Sequence, residues 1–212
     1  MKIELTMKRN RAYFWLFLAA GLMMASCTKN DDSTIALIGT EYYIKDILSV
    51  IPDSLQTKFF ANFGSIPEGP VPPKIGGSYR MNPKRRVANN AGLPVPADEP
   101  PMFLRFSGQH NGVVAIDLND PTETFTDTVF IQGNGQDFAV YFIEDKVIEN
   151  FSVTVKMKRG VIMKGRVTEA GLADFCYATI VLGKEDELNQ LANPGSYYIY
   201  KDGDGNAERF DW

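Results

Sequence analysis

The chain has 212 residues, of which 44% are hydrophobic and 23% are charged, and its formal net charge is −4 at pH 7. Such a chain can bury the core of one domain, and its acidic balance excludes nucleic acid as a main partner, since a phosphate backbone requires clustered basic side chains. One histidine and two cysteines are too few for a four-ligand zinc site built from those residue types, and we expect no cofactor.

The first 26 residues have the three regions of a bacterial export signal. Lys8, Arg9 and Arg11 precede an apolar run from Tyr13 to Met24. That run has 12 residues, whereas a helix needs about 20 to cross a bilayer. We therefore predict that residues 1–26 are a removable signal peptide and not a permanent membrane span.

A cysteine stands directly after the small residues that end this signal. Met24-Ala25-Ser26-Cys27 resembles the bacterial lipobox, in which the cysteine thiol receives a diacylglyceryl group before cleavage. The resemblance implies that the mature chain begins at Cys27 and is anchored to a membrane by lipid on that residue. Several acyl chains would make the attachment effectively permanent. A chance cysteine at this position is the alternative.

Residues 27–36 are predicted to form a lipidated tether, because they are polar and lack apolar periodicity. Asp31 and Asp32 resemble the acidic surface-export signal of Bacteroidetes-type lipoproteins, which implies an outer-membrane protein that faces the cell exterior. A plain solvated linker is the alternative. Residues 1–26 hold four basic side chains and one acidic one, so the mature chain carries 18 basic and 25 acidic side chains.

Helical spacing occurs near the start of the remaining sequence, residues 37–212, which we predict to be a single domain with a helical segment over residues 41–63. Pro52 separates two short helices, and Asp53 is placed to cap the second one. Gly64 follows as a stop signal. The apolar residues at helical spacing are Ile44, Ile47, Leu48 and Ile51 in the first helix, and Leu55, Phe59 and Phe63 in the second.

Farther along the chain, runs of Val, Ile, Phe and Thr are broken by glycine-containing turns, which is typical of antiparallel strands. The predicted strands are residues 75–81, 103–108, 112–119, 126–133, 136–144, 148–158, 161–168, 172–182, 196–201 and 207–212. We predict a loop over residues 82–101, a turn at Arg159-Gly160, a helix over residues 184–192 and a final hairpin that turns at residues 203–205. So many consecutive strands favour an antiparallel up-and-down β-barrel, with a β-sandwich as the alternative.

The entry into the first strand resembles a known family. Pro72-Pro73-Lys74-Ile75-Gly76-Gly77-Ser78-Tyr79 is similar to a segment of lipocalin-like lipoproteins of the Bacteroidetes type, and Gly77-Ser78-Tyr79 resembles the lipocalin Gly-x-Trp motif. The resemblance implies a lipocalin-like barrel with short N-terminal helices and one late helix. It also implies that Arg209 packs over the ring of Tyr79 and that the barrel interior holds a small apolar ligand.

The clearest strand pattern gives the candidate ligand-lining residues. Alternation between residues 148 and 158 places four apolar side chains on one face, and these are Phe151, Val153, Val155 and Met157. In an open barrel they would line a ligand cavity, whereas in a filled barrel they would belong to the core. Both interpretations remain open.

Residues that often carry chemistry are scarce. His110 lies in a glycine-containing segment that we interpret as a solvated turn, and Cys176 lies in an apolar run that is typical of a buried thiol. The acidic segment Asp202–Asn206 is similar to the start of a calcium loop but lacks the later ligands, so we interpret it as a tight turn. We predict a lipoprotein that is not an enzyme and has no metal site. It binds a small apolar ligand or, alternatively, a protein partner in an envelope assembly.

Overall fold

A computed structural model describes residues 36–38, 41–43, 47–121, 123–150, 153–187, 189 and 191–211. All of them belong to one compact unit that spans residues 34–212. The predicted signal peptide, the lipidation site Cys27 and residues 27–35 of the predicted tether lie outside the described residues, as does Phe151.

Two short helices precede the barrel. Residues Ile47–Val50 form a 3₁₀ helix, and Asp53–Phe63 form helix α1. Pro52, not Asp53, occupies the N-cap position, and the carboxylate of Asp53 accepts a hydrogen bond from the side chain of Gln56. The helical segment is shorter than predicted, because strand β1 (Ala36–Ile38) pairs with strand β2 (Glu41–Tyr43).

Twelve further strands follow the helices. They are β3 (Pro70–Val71), β4 (Gly77–Met81), β5 (Lys84–Asn89), β6 (Ala97–Glu99), β7 (Met102–His110), β8 (Val113–Asp120), β9 (Glu123–Asn134), β10 (Asp137–Asn150), β11 (Val153–Val167), β12 (Gly171–Glu185), β13 (Tyr197–Asp202) and β14 (Asn206–Arg209). The predicted loop over residues 82–101 is wrong, because β5 and β6 lie within it and pair with each other.

Eight of these strands form a closed antiparallel ring, in the order β4, β7, β8, β9, β10, β11, β12 and β14. The ring closes because β12 pairs with β11 on one side and β14 on the other, and β14 pairs with β4. Beyond β14, β13 continues along β12, and β5 and β6 extend the sheet from β13. This arrangement confirms the predicted mainly β, up-and-down barrel and not a sandwich.

Three predicted features near the middle and the end of the chain are wrong. β11 continues through Arg159 and Gly160 without a turn, so that two long strands replace the three predicted between residues 136 and 168. In the described part of residues 184–192 there is no helix, because β12 extends to Glu185 and Lys184 Nζ binds Leu191 O at 2.9 Å. The final hairpin is also absent, because β13 and β14 both run antiparallel to β12 and the chain keeps its direction through residues 203–205.

The aromatic residue of the Gly77-Ser78-Tyr79 motif belongs to the buried cluster inside the barrel. Tyr79 is fully buried, and its hydroxyl donates a hydrogen bond to the Ile75 carbonyl at 3.0 Å. The Arg209 guanidinium lies over the ring, with its carbon 5.2 Å from the ring centroid, as predicted. Gly77 has a φ of +137°, and a Cβ there would lie 2.9 Å from Arg209 Nη1. The motif therefore needs glycine at this position.

Apolar residues lie on both faces of the barrel wall. The inward-facing residues form one cluster, and a second cluster lies between the outer face and the two helices. Phe59 and Phe63 of α1 are buried there, with ring centroids 4.9 Å apart. Lys164 Nζ lies 4.7 Å from the Phe63 ring centroid and donates to the Ser65 carbonyl. Because the strands are apolar on both faces here, the helices are part of the core.

Candidate functional site

Side chains fill the central part of the barrel interior. Several large inward-facing residues have zero exposed surface, and they include Tyr79, Met81, Met102, Leu104, Val140 and Met163. Zero exposure means that a water-sized sphere cannot touch the residue from any direction, so none of these side chains lines a cavity. This part of the interior is packed as a core and has no room for a ligand.

The predicted ligand-lining strip lies on β11 near one end of the barrel. Val155 is buried and Met157 is half-buried, whereas Thr154, Lys156 and Lys158 are exposed. The predicted alternation is confirmed at these five positions. Val153 begins β11 but its side chain, like Phe151, is outside the described part of the chain. The assignment of these residues to a ligand site remains a prediction.

We call the end of the barrel at which β8, β10 and β12 finish the mouth. An ion pair is buried there: Lys84 Nζ lies 2.9 Å from Asp120 Oδ2, and the two side chains are 7% and 2% exposed. Glu99 lies beside them, 3.4 Å from Lys84 Nζ. A second, mostly buried pair joins Glu144 of β10 to Arg159 of β11. Charged side chains thus cover the apolar core, and buried charges persist only when they are paired.

Arg86, Tyr198 and Tyr200 lie on the same side of the mouth as the pair of Lys84 and Asp120. Arg86 lies directly across from Tyr200 in the pairing of β5 with β13, and Arg86 Nη1 is 3.3 Å from Glu99 Oε1. The Tyr200 ring stacks on Tyr177 at 5.6 Å and packs against the core, and Tyr198 follows on the same face of β13. Burial raises the pKa of both Tyr198 and Tyr200, so both hydroxyls stay protonated at neutral pH.

A groove of about 790 Å³ lies on the outside of the barrel. Its floor is formed by Phe130 and Tyr141, whose rings stack with centroids 5.7 Å apart. Further apolar side chains come from the helices and the segment after α1, and these are Ile47, Leu48, Phe60 and Ile66. Gln132 Nε2 donates to the Pro67 carbonyl at 2.8 Å and fastens that segment to β9. This is a concave apolar site of the size that proteins use for small ligands.

Polar atoms lie at the edges of the groove. Glu68, Asn111 and Gln132 are among its lining residues, and no Lys or Arg is among those that the structure describes. Leu48 in the groove is 45% exposed, and Val71, next to the lining residue Pro70, is 72% exposed. A bound apolar molecule would bury this surface, whereas the Glu68 carboxylate would oppose an anionic head group.

The other side chains of a type that often carries chemistry stabilise local structure instead. His110 is exposed, with its Nδ1 atom 2.6 Å from the Gly108 carbonyl oxygen. Both carboxylate oxygens of Asp202 accept backbone hydrogen bonds, from Asn82 and Asp204, in the turn between β13 and β14. Burial raises the pKa of the Cys176 thiol to about 12, which makes it unreactive. No group of three or more potential metal ligands occurs in the part of the chain that the structure describes.

A comparison with protein-family models, one with curated proteins and one with solved structures each gave no match. Among the described residues, no helix has the length and apolar character required to span a bilayer. Function must therefore be argued from the residues and their geometry.

The sequence analysis predicted neither the groove nor the cluster of Arg86, Tyr198 and Tyr200 at the mouth. The groove combines side chains from the 3₁₀ helix, α1, the segment after it, β9 and β10, which are scattered along the chain. The one available signal was the proline-rich segment after Gly64, which has few backbone donors and therefore forms only a two-residue strand, Pro70–Val71, beside β9. Arg86 and Tyr200 belong to strands far apart in sequence, and the first lies in the range predicted to be a loop.

Proposed function

We propose that this protein is a lipid-anchored lipoprotein of the cell envelope that binds a small, neutral, apolar ligand in the groove on the outside of its barrel. The observation that carries the proposal is the contrast between the two candidate places for a ligand. Several large interior side chains, such as Tyr79, Met102 and Met163, have zero exposure, whereas the groove offers about 790 Å³ beside apolar residues that range from buried to exposed.

The anchor is supported by the sequence alone. The charged, apolar and small-residue regions of residues 1–26 precede Cys27 in the order that a lipoprotein signal requires. On this proposal Cys27 carries the acyl groups, and Asp31 and Asp32 direct the chain to the outer face of the outer membrane. The domain would then meet its ligand at the membrane surface.

The chemistry of the groove selects the ligand class. Stacked aromatic rings favour an apolar or aromatic body, and the Glu68 carboxylate, without a lysine or arginine among the described lining residues, disfavours a fatty-acid head group. A neutral apolar molecule avoids the cost of burying a charge next to this carboxylate.

A protein-interaction role is the second candidate. Val71 is 72% exposed and adjoins the groove, and such a residue in an envelope protein is suited to pack against a partner. On this alternative, the groove and Val71 would be covered by an apolar segment of another envelope protein.

The ligand proposal is tested with Nile red, a neutral apolar dye. The Cys27→Ala protein should bind it with a saturable rise in fluorescence, and Leu48→Glu should abolish the rise by placing a charge in the groove. Leu93→Glu is the matched control, because Leu93 is 42% exposed and Leu48 is 45% exposed, but Leu93 does not line the groove. Loss in both variants, or in neither, would contradict the proposal.

The anchor is tested separately by labelling cells with radioactive palmitate. The natural chain should carry the label and sediment with membranes, whereas Cys27→Ala should do neither. Label on the Cys27→Ala protein would refute Cys27 as the acylated residue.

A further inference from the structure

Arg86 is a charged side chain of the mouth that uses few of its hydrogen-bond donors in the part of the chain that the structure describes. A guanidinium has five N–H donors, yet Arg86 forms no well-aligned hydrogen bond with the described part of the chain, only the contact of Nη1 with Glu99 Oε1 at 3.3 Å. Its Nε atom is buried and has no acceptor among those residues. The side chain as a whole is 15% exposed, so Arg86 lies close to solvent.

The nearby carboxylates form more ion-pair contacts with Lys84 than with Arg86. Asp120 lies 2.9 Å from Lys84 Nζ, and Glu99 divides its oxygens between Lys84 at 3.4 Å and Arg86 at 3.3 Å. Lys84 therefore has two carboxylate partners and Arg86 has a share of one. In the second pair at the mouth, Arg159 donates a hydrogen bond to Glu144. Structural pairing thus explains Lys84 and Arg159 and leaves Arg86 with spare donors.

Two further donors lie on the neighbouring strand. Tyr198 and Tyr200 face the same side of β13 as each other, and Arg86 is an electrostatic neighbour of both. Neither hydroxyl forms a hydrogen bond with the residues that the structure describes, and raised pKa values keep both protonated. Arg86 and these hydroxyls form a group of donors in a mostly buried wall.

We infer that Arg86, Tyr198 and Tyr200 form a binding site for the carboxylate of a small organic acid at the mouth of the barrel. The planar fork of a guanidinium matches the two oxygens of a carboxylate, and this charge-assisted pair would use the Nη donors of Arg86, since the buried Nε atom is closed to a ligand. The tyrosine hydroxyls would donate to the remaining lone pairs of the oxygens. This site is separate from the groove, and it does not depend on the ligand proposed there.

The test uses hexanoate, with hexanamide as a neutral probe of the same shape, on the full chain with Cys27→Ala. Hexanoate should shift the NMR signal of the Arg86 Nε–H group saturably, while hexanamide and equal chloride should not. Arg86→Gln should weaken binding about ten- to a hundredfold, the loss expected for a charged hydrogen-bonded pair. Arg85→Gln should leave affinity unchanged, because Arg85 is exposed and bound to Asp98.

Tyr198→Phe and Tyr200→Phe provide a milder test that removes single hydroxyl groups, and it decides the case if Arg86→Gln fails to fold. At least one of the two should weaken hexanoate binding without changing the melting temperature by more than a few degrees. The inference is overturned if hexanoate gives no saturable shift, if hexanamide binds equally well, or if the folded Arg86 or both tyrosine variants bind hexanoate like the parent protein.

Discussion

Val50 occupies the space above Gly160: a Cβ on Gly160 would lie 2.2 Å from Val50 Cγ1. Val50 belongs to the 3₁₀ helix and is fully buried, and Gly160 lies in the middle of β11. The missing side chain lets the helical segment approach the outer face of the barrel. Gly160 therefore contributes a contact between segments and not the turn that its sequence context predicts.

Gly160→Ala should destabilise the domain by about 1–3 kcal/mol, because its methyl group overlaps Val50 and forces the 3₁₀ helix away from the barrel. The Gly160→Ala, Val50→Ala double variant should cost less than the sum of the two single changes, by a coupling of about 0.5–3 kcal/mol. Urea unfolding measures both. Gly183→Ala in β12 is the control and should be nearly neutral, because its Cβ would meet only Lys158 Cβ, at 4.0 Å. Strict additivity would refute the direct contact.

Removing one partner of the buried ion pair at the mouth should be costly. Asp120→Ala leaves Lys84 with only the more distant Glu99 and should lower the free energy of unfolding by about 3–5 kcal/mol. Replacing both partners, as in Lys84→Met with Asp120→Leu, should cost less than the single change. The exposed pair of Arg166 and Asp137 is the control, and Asp137→Ala should cost less than about 1 kcal/mol. Equal losses of unfolding free energy in Asp120→Ala and Asp137→Ala would show that water reaches the ion pair at the mouth.

Asp202 should make stability depend on pH. Burial, with help from the neighbouring Asp204 carboxylate, raises the pKa of Asp202 from 3.8 to about 6 in the folded protein. The folded state thus holds this proton more tightly than the unfolded state, so the contribution is full below about pH 3.8 and is lost as the pH rises through about 6.

The measurement is the urea midpoint of the parent protein minus that of Asp202→Asn, taken from pH 3.5 to 7.5 as an approximate range around these pKa values. The difference should fall as the pH rises across that window. Asp204→Asn should shift the fall to lower pH, because it removes a carboxylate that raises the pKa of Asp202. A flat difference would mean that Asp202 titrates normally.

The two faces of β11 near the mouth should respond differently to a charge. Val155 is 2% exposed and the adjacent Thr154 is exposed. Val155→Asp buries a carboxylate and should cost several kcal/mol, whereas Thr154→Asp should cost less than about 1 kcal/mol. Thermal melts compare the two variants. Equal losses would contradict the alternation that the sequence predicts for this strand.

The alternation of β11 and the barrel topology could be predicted because a period of two residues and short turns are visible in a single sequence. The packing of Arg209 over Tyr79 also followed from a motif. The predicted turn at Gly160 was wrong because glycine is needed there to leave space for Val50, which is remote in sequence. The loop predicted over residues 82–101 was wrong. Prolines and asparagines in this range are typical of loops, but β5 and β6 form there because they pair with each other and β5 pairs with β13.

The candidate sites could not be predicted from the sequence, for a different reason. Whether inward-facing residues such as Met102 and Met163 fill a barrel or surround a cavity depends on the volumes of side chains from all eight strands. The groove and the mouth likewise join residues that only the pairing of distant strands brings together, such as Arg86 and Tyr200. Sequence patterns report the face of a strand on which a residue lies but not what it meets there.

The most direct test of the central claim, that an apolar ligand binds outside a filled barrel, is methyl NMR of the Cys27→Ala protein titrated with Nile red. We expect saturable shifts for the methyl groups of Ile47 and Ile66, which line the groove, and unchanged signals for Met102 and Met163 in the interior. Shifts at the two methionines without shifts at the two isoleucines would place the ligand inside the barrel and contradict the account.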